Sequence, residues 1–218
     1  MSPFERLVKT ITNPFFILVY FGLIILLILK LDKHISAFFF HANIRSSFPY
    51  LSYLTRVGLG AIYFPAFLIF ALFFRYVRKN RLWEVRFWFL MLCLIVPSIV
   101  SLILKISLGR ARPNLFLQGS EQFYGFYGWQ TQANFWSFPS GHTTTIIGVV
   151  LGLGILFPRY FVALMLLGAS VAISRVLLTH HYLSDVLFSM YLTTMVVFCL
   201  LTILKRKSWL TLAWKPRF

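Results

Sequence analysis

The chain has 218 residues, of which 59% are hydrophobic and only 12% are charged. A soluble domain carries about 25% charged residues, so this composition excludes a soluble globular enzyme, a disordered protein and a disulfide-stabilised scaffold. The net charge of +16 comes from 21 Lys and Arg against five Asp and Glu. In a soluble protein such an excess indicates nucleic-acid binding. In a membrane protein it is typical of basic cytoplasmic loops and of contact with anionic lipid head groups. We therefore expect contact with a lipid bilayer and with no nucleic acid.

Six apolar runs follow one another along the chain, near residues 14–31, 58–77, 86–108, 140–157, 160–179 and 183–204. A transmembrane helix needs about 20 residues, so the pattern predicts an all-α, polytopic bundle of six transmembrane helices in one domain over residues 1–218. The first run is not followed by a small-residue cleavage pattern, so we expect it to remain as an anchor. Residues 33–56 mix aromatic and basic side chains, which predicts an interfacial helix between spans one and two.

The basic residues predict the orientation of the bundle. If both termini are cytoplasmic, most Lys and Arg fall on the cytoplasmic side, as the positive-inside rule requires. Polar residues then concentrate at span ends on the outer face, in the stretches 105–113, 138–143 and 174–185. Charges near membrane spans are costly and mark functional sites by default, so we expect the three stretches to form one site.

The first stretch carries two cations with helical spacing. Lys105 and Arg112 are seven positions apart, which is two turns and nearly the same face, and Pro113 then ends the helix. The two side chains either share a ligand or extend to lipid phosphates. Arg110 lies off that face, and we expect it to be solvated or in contact with lipid.

The second stretch is a helix start. Ser140 is a suitable N-cap for span four, and Gly141 lets a ligand approach the backbone. The N–H groups of Gly141, His142 and Thr143 would then form an anion site. The alternative is that the stretch only caps the helix and that His142 is incidental.

The third stretch places His181 and Asp185 four residues apart on a helix. A carboxylate at this spacing can hold one imidazole N–H and leave a lone pair on the other nitrogen, as in nucleophilic or basic histidines. His180 is turned away, and we expect it to be an interfacial histidine. A metal site is disfavoured because no carboxylate cluster supports one.

Together the stretches supply three cations and a helix start, which suit a dianionic tetrahedral group such as phosphate. Phosphoryl transfer depends mainly on positioning and charge neutralisation. His181 would attack phosphorus, and His142 would protonate the leaving oxygen.

The ordered motifs Lys-x6-Arg-Pro, Pro-Ser-Gly-His and Ser-Arg-x5-His-x3-Asp resemble the three-part signature of the type 2 phosphatidic acid phosphatase (PAP2) family, over about residues 50–200. The resemblance implies a six-helix bundle with no metal and no cofactor. It implies a phosphohistidine on His181, His142 as the acid and Asp185 as the orienting carboxylate. The phosphate-binding residues that we expect are Lys105, Arg112, Ser140, Gly141 and Arg175.

The resemblance predicts a metal-independent lipid phosphate or diphosphate phosphatase at the outer face of a bacterial inner membrane. Its substrate would be undecaprenyl diphosphate, phosphatidylglycerol phosphate, phosphatidate or a lipid A phosphate. The alternative is a phosphotransferase that passes phosphate from a lipid diphosphate to another lipid. Vanadate haloperoxidases have a similar site but are soluble, and a transporter or scaffold would leave the motifs unexplained. The aromatic loop 114–137 either holds a lipid stem or lies in the interfacial belt.

Overall fold

The computed structural model describes residues 1–119 and 122–208, and these residues are predominantly helical. They contain no strand, and their one isolated β-bridge joins Arg110 to Phe126. Glu121 of the aromatic loop and the basic residues Lys215 and Arg217 lie outside the described residues. The α-helices, in chain order, are α1 (Pro3–Ile11), α2 (Pro14–Leu26), α3 (Asp32–His41), α4 (Ile44–Ser47), α5 (Tyr50–Arg56), α6 (Gly60–Tyr76), α7 (Arg81–Leu108), α8 (Pro113–Gln118), α9 (Gly141–Leu156), α10 (Phe161–Leu177) and α11 (Leu183–Arg206).

Within the described residues, four helical segments are long and apolar enough to cross a membrane. They are Pro14–His41, Arg81–Leu108, Pro158–Leu177 and Leu183–Arg206. Helices α5 and α6 form a fifth if the pair, bent by 42°, counts as one span. The apolar helix α9 has only 16 residues and is shorter than the others. These helices indicate a multi-pass membrane protein, but the prediction of six spans is not confirmed.

The first apolar helix is longer than its hydrophobic run. Helices α2 and α3 are joined without a break by a π turn at Leu27–Leu31, so one helical segment extends from Pro14 to His41. No Pro or Gly interrupts residues 27–41, and the segment ends before Asn43, which has a left-handed φ of 50°. Residues 33–41 therefore continue the first helix, and the interfacial helix predicted over 33–56 is not confirmed.

Helix α9 lies at the centre of the molecule, where it packs against α7, α10 and α11. Most of its side chains are buried. Gly148 allows a close approach to α7, since a Cβ at this position would lie 2.4 Å from the carbonyl oxygen of Cys93. The middle of α9 is therefore packed closely against α7.

Helix α7 ends at Gly109, which has a left-handed φ of 53°. A Cβ on Gly109 would lie 2.1 Å from the carbonyl oxygen of Gly128, so only glycine fits. The loop that follows α8 folds back over this end, where Gln130 donates its N–H to the Ile106 carbonyl at 2.9 Å. The chain after α7 consequently turns inward, toward the start of α11.

Candidate active site

Lys105 lies in the last turn of α7 and reaches the start of α9. Its ammonium group donates to the carbonyl oxygens of Trp136, at 3.2 Å, and of Pro139. A Cβ on Gly141 would lie 3.6 Å from the Lys105 Cε, so the two residues are in contact range. The first and second polar stretches thus meet at one place, with a cation beside the N-terminus of α9.

Ser140 occupies the N-cap position of α9, but its side chain does not form the expected capping bond. Its buried hydroxyl accepts a hydrogen bond from the hydroxyl of Thr143 at 3.0 Å, and its backbone N–H donates to Ser189 Oγ at 2.7 Å. The predicted N-cap position of Ser140 is confirmed, but the side-chain capping bond is absent because the two buried hydroxyls bond each other. The Ser140 side chain therefore does not compete for the backbone N–H groups of the first turn.

Two arginines approach the same region from different elements. Arg175 on α10 is only 5% exposed, and its guanidinium donates to the hydroxyl of Thr55 at 2.8 Å. Arg112 precedes α8, and its backbone N–H donates to the Asn134 carbonyl at 3.0 Å. In both side chains the buried Nε–H has no partner among the described residues. Buried donors without partners are costly, and a bound anion would satisfy them.

His181 is almost fully buried between α10 and α11. Its Nδ1 lies 2.7 Å from the carbonyl oxygen of Ser137 and 3.7 Å from Asp185 Oδ2. A carbonyl oxygen only accepts, so Nδ1 carries the proton and Nε2 holds the lone pair. Burial lowers the pKa of His181 well below its ordinary value, although the nearby carboxylate of Asp185 acts in the opposite direction. His181 is therefore neutral, as a nucleophile must be.

Asp185 lies in the first turn of α11 and is completely buried. Its Oδ1 accepts from Arg110 at 2.5 Å. Its Oδ2 accepts from the Ser137 hydroxyl at 2.6 Å and from the Tyr182 N–H at 2.9 Å. Ser137 thus contacts both members of the pair, with its carbonyl on His181 and its hydroxyl on Asp185. The sequence spacing predicts the His181–Asp185 approach but gives no sign of Ser137. His181 precedes α11, so the expectation that both residues lie on one helix is wrong.

The expectation for Arg110 is wrong. Arg110 is not solvated but fully buried, and its guanidinium lies between Asp185, at 2.5 Å, and Asp32, at 2.8 Å. The physical reason is that α7 ends at Gly109, so the helical faces used for the prediction do not continue to position 110. Burial acts to lower the pKa of Arg110, but the two carboxylates outweigh it and raise the pKa above its ordinary value.

Part of the aromatic loop covers this buried charge. The Arg110 guanidinium lies 4.4 Å from the ring centroid of Tyr182, and Tyr124 packs edge-on against Tyr182 with centroids 5.4 Å apart. The Tyr124 hydroxyl donates to the carbonyl of Ile28 within the π turn. Trp129 in the same loop is 73% exposed. Tyr124 therefore shields the ion pairs, a role that neither prediction for the loop anticipates.

His142 faces a groove of about 320 Å³ beside the cations. The groove is lined partly by Lys105, Ser98, Ser101 and Thr145. Gly58, at the bend between α5 and α6, leaves room for this histidine, since a Cβ there would lie 3.0 Å from the His142 Cβ. The structure thus gives His142 an open side next to Lys105.

His180 points to a different space. Its Nε2 contacts the guanidinium of Arg45, and both residues line a cavity of about 440 Å³. Burial lowers the pKa of His180 to about 3, with Arg175 adding to the effect, so the ring is neutral. The other polar residues around the cavity are Asn43, Arg112, Asn114, Gln118, Asn134 and Thr179. His180 is therefore a cavity residue, and its position at the membrane interface stays a prediction.

The described residues contain no group of three His, Cys, Asp or Glu side chains that could hold a metal ion. Asp32 and Asp185 lie close together, but the Arg110 guanidinium fills the space between them. Metal-independent chemistry remains a prediction, and the geometry offers cations in the place where a metal would act.

Two curated relatives share part of the sequence. The chain is similar to the lipid A 1-phosphatase of Rhizobium etli, with 37% identity over 100 residues, which is 45% of this chain and 42% of the relative. It is also similar to the lipid A 1-phosphatase of Rhizobium johnstonii, with 36% identity over 100 residues, 45% of this chain and 40% of the relative. The match thus spans less than half the length of either relative. A search of solved structures gave no significant match.

The family comparison covers more of the chain. A family model described as the PAP2 superfamily matches residues 86–209, which is more than half of the sequence and contains all three polar stretches. The chain therefore belongs to the PAP2 superfamily.

Proposed function

We propose that the protein is a metal-independent lipid phosphatase that works through a phosphohistidine on His181. The observation that carries the proposal is the neutral, buried imidazole of His181, whose Nδ1 is bonded to the Ser137 carbonyl. This arrangement leaves the Nε2 lone pair for attack on phosphorus. The PAP2 family model and the relatives named lipid A 1-phosphatase support the same activity.

In the first step, Nε2 of His181 attacks phosphorus, and the bond from phosphorus to the lipid oxygen breaks. His142 donates a proton to that oxygen, and Lys105, Arg112 and Arg175 neutralise the phosphoryl oxygens. In the second step, His142 removes a proton from water, which attacks phosphorus. The P–N bond breaks, phosphate leaves and His181 returns to its neutral state. Asp185 stabilises the imidazole while it carries positive charge.

We further place the site at the outer, periplasmic face of an inner membrane, in one PAP2-like domain with both termini cytoplasmic. The positive-inside rule supports this orientation. The ends of α7, α9, α10 and α11 that carry the site all meet at one end of the molecule, as alternating spans require. A lipid phosphate at that membrane surface would reach the cations without crossing the apolar core.

The substrate that we propose is a lipid whose phosphate is attached to a sugar, as in lipid A. The 440 Å³ cavity adjoins the phosphate site through Arg112, and its lining includes the amide residues Asn43, Asn114, Gln118 and Asn134. Amides bond the hydroxyl and amide groups of a sugar head group, whereas the head group of phosphatidate has neither. The printed names of both relatives also favour lipid A.

The test is phosphate release by the purified protein in detergent, with water as the sole acceptor. The panel contains lipid A, phosphatidate, phosphatidylglycerol phosphate and undecaprenyl diphosphate, and His181→Ala is the control. We expect the highest kcat/KM on lipid A, with loss of its 1-phosphate. A higher kcat/KM on phosphatidate would contradict the sugar-linked substrate, and no release from any lipid would contradict the phosphatase activity. Labelled phosphate that appears on a second lipid instead of in water would identify the phosphotransferase alternative.

A further inference from the structure

A buried chain of charges connects the first apolar helix to the catalytic histidine. Arg110 bonds Asp32 at 2.8 Å through one terminal nitrogen and Asp185 at 2.5 Å through the other. All three side chains are completely buried. Asp185 in turn lies 3.7 Å from Nδ1 of His181. Only two side chains, those of Arg110 and Asp185, therefore lie between Asp32 and the nucleophile His181.

The net charge of the three linked side chains, Asp32, Arg110 and Asp185, affects the electrostatic field at His181. One guanidinium lies between two carboxylates, so Arg110 does not cancel the charge of Asp185 alone. Without the Asp32 charge, Arg110 and Asp185 would form a neutral pair. In a buried, low-dielectric site such a change acts strongly on a neighbouring group. Asp32 thus lets Asp185 keep a negative field at the imidazole that must become positive during attack.

Asp32 also holds the start of α11. Its Oδ1 accepts the backbone N–H of Ser184 at 3.2 Å, and its Oδ2 accepts the hydroxyl of the same residue. The Ser184 hydroxyl accepts from Arg110 at 2.7 Å. Ser184 directly precedes Asp185, so these bonds fix the turn from which the orienting carboxylate projects.

We propose that Asp32 is a positioning residue for phosphoryl transfer, acting through Arg110 and Ser184 on Asp185 and thereby on His181. The proposal rests on the phosphatase function proposed above. Asp32 lies on α3, outside residues 86–209 that match the family model. The first helix consequently contributes to the chemistry and not only to the membrane anchor.

The first experiment measures kcat and KM of Asp32→Asn on the best lipid phosphate of the panel. We expect kcat to fall about tenfold or more with KM within about twofold, because the phosphate ligands are unchanged. Asp32→Glu should recover part of the loss, since it restores the charge. A purely structural role would lower the amount of folded protein without this split between kcat and KM.

Glu84 provides a matched control. It is also a buried acid held by arginine, with Arg81 at 2.8 Å and Arg75 at 3.5 Å. It lies in the first turn of α7, whereas Lys105 lies in the last turn. We expect Glu84→Gln to lower thermal stability while kcat stays within about twofold of wild type. An equal loss of kcat in Glu84→Gln and Asp32→Asn would overturn the proposal.

The second experiment is a double-mutant cycle with Asp185→Asn. If Asp32 acts through Asp185, Asp32→Asn should cost no more than about twofold in the Asp185→Asn background. Independent losses that multiply would overturn the proposal. If Asp32→Asn does not fold, the same cycle with Asp32→Glu decides the question. A wild-type protein without phosphatase activity would overturn the proposed function together with this inference, whereas an active wild type and an equally active Asp32→Asn would overturn this inference alone.

Discussion

Nδ1 of His181 is 2.7 Å from the carbonyl oxygen of Ser137, closer than it is to any carboxylate oxygen. A backbone carbonyl persists through every side-chain substitution. The tautomer of His181 is therefore held by the main chain, and the contribution of Asp185 is chiefly electrostatic. This division of roles sets the expected size of several mutational effects.

Replacement of the two adjacent histidines should separate the nucleophile from its neighbour. We expect His181→Ala to abolish turnover and His180→Ala to keep kcat within about tenfold of wild type. The reason is that His180 faces the 440 Å³ cavity and Arg45, not the Ser137–Asp185 contacts. The kcat of each variant is measured by steady-state phosphate release. Equal loss in the two variants would contradict His181 as the nucleophile.

Asp185→Asn and Ser137→Ala should differ in severity. Asp185→Asn removes the negative charge next to the imidazole, so we expect kcat to fall about 100-fold. Ser137→Ala removes one hydrogen bond to Asp185 but keeps the carbonyl on His181, so the fall should be about tenfold or less. Both are measured as kcat on the same lipid. A near wild-type rate in Asp185→Asn would exclude its role.

The activity should persist in EDTA. In the proposed mechanism, Lys105, Arg112 and Arg175 perform the charge neutralisation that a divalent metal supplies in other phosphatases. Vanadate should inhibit competitively, because it mimics the five-coordinate phosphoryl group. The measurement is phosphate release with and without chelator. Activity that is lost in EDTA and restored by one divalent metal would contradict the mechanism.

The pH dependence should be bell-shaped, since His181 must be neutral and His142 must hold a proton. Burial lowers the pKa of His181, so the neutral form persists as pH falls, and the acid limb of kcat/KM should lie below pH 6.5. We expect His142→Ala to flatten the alkaline limb of kcat. The loss should be larger for a monoester than for a diphosphate, whose leaving group is already stable. An equal loss for both substrates with an unchanged alkaline limb would return His142 to a role in helix capping.

The sugar-linked substrate can be tested at Arg45. We expect Arg45→Gln to raise KM for lipid A several-fold while leaving KM for phosphatidate within about twofold, because Arg45 lines the cavity but not the phosphate site. Lys9 on α1 is an exposed basic residue and provides the control variant Lys9→Gln. This variant should change neither the KM for lipid A nor the KM for phosphatidate. Equal changes on both lipids in Arg45→Gln would contradict a head-group site in the cavity.

Much of the candidate site follows from the sequence because its signals are local. Lys105 and Arg112, the helix start at Gly141 and the pair His181–Asp185 each lie within one short stretch. The helical spacing assumed for the first and third of these is wrong, because α7 ends before Arg112 and α11 begins after His181. The predicted alternation of spans gives the expectation that these stretches converge, and the contacts from Lys105 to Pro139 and from His181 to Ser137 bring them together.

The errors arise where a contact depends on how the backbone turns. Arg110 is misplaced because the left-handed Gly109 ends the helix one residue earlier and turns the chain inward. Ser140 occupies the predicted N-cap position, but its side chain forms no capping bond because the Thr143 hydroxyl donates to it instead. Asp32 lies at the end of the first apolar run, outside the three polar stretches, so the motif pattern does not include it. Its partner Arg110 is 78 positions away, beyond the reach of any local pattern.

The long separation between Asp32 and Arg110 has a consequence for biosynthesis. The ribosome adds about 5–20 residues per second, so Asp32 emerges about 4–16 s before its partner. During that interval Asp32 lacks the arginine that balances its charge. Because Arg110 follows the end of α7, the buried pair Asp32–Arg110 can form only after α7 has been synthesised.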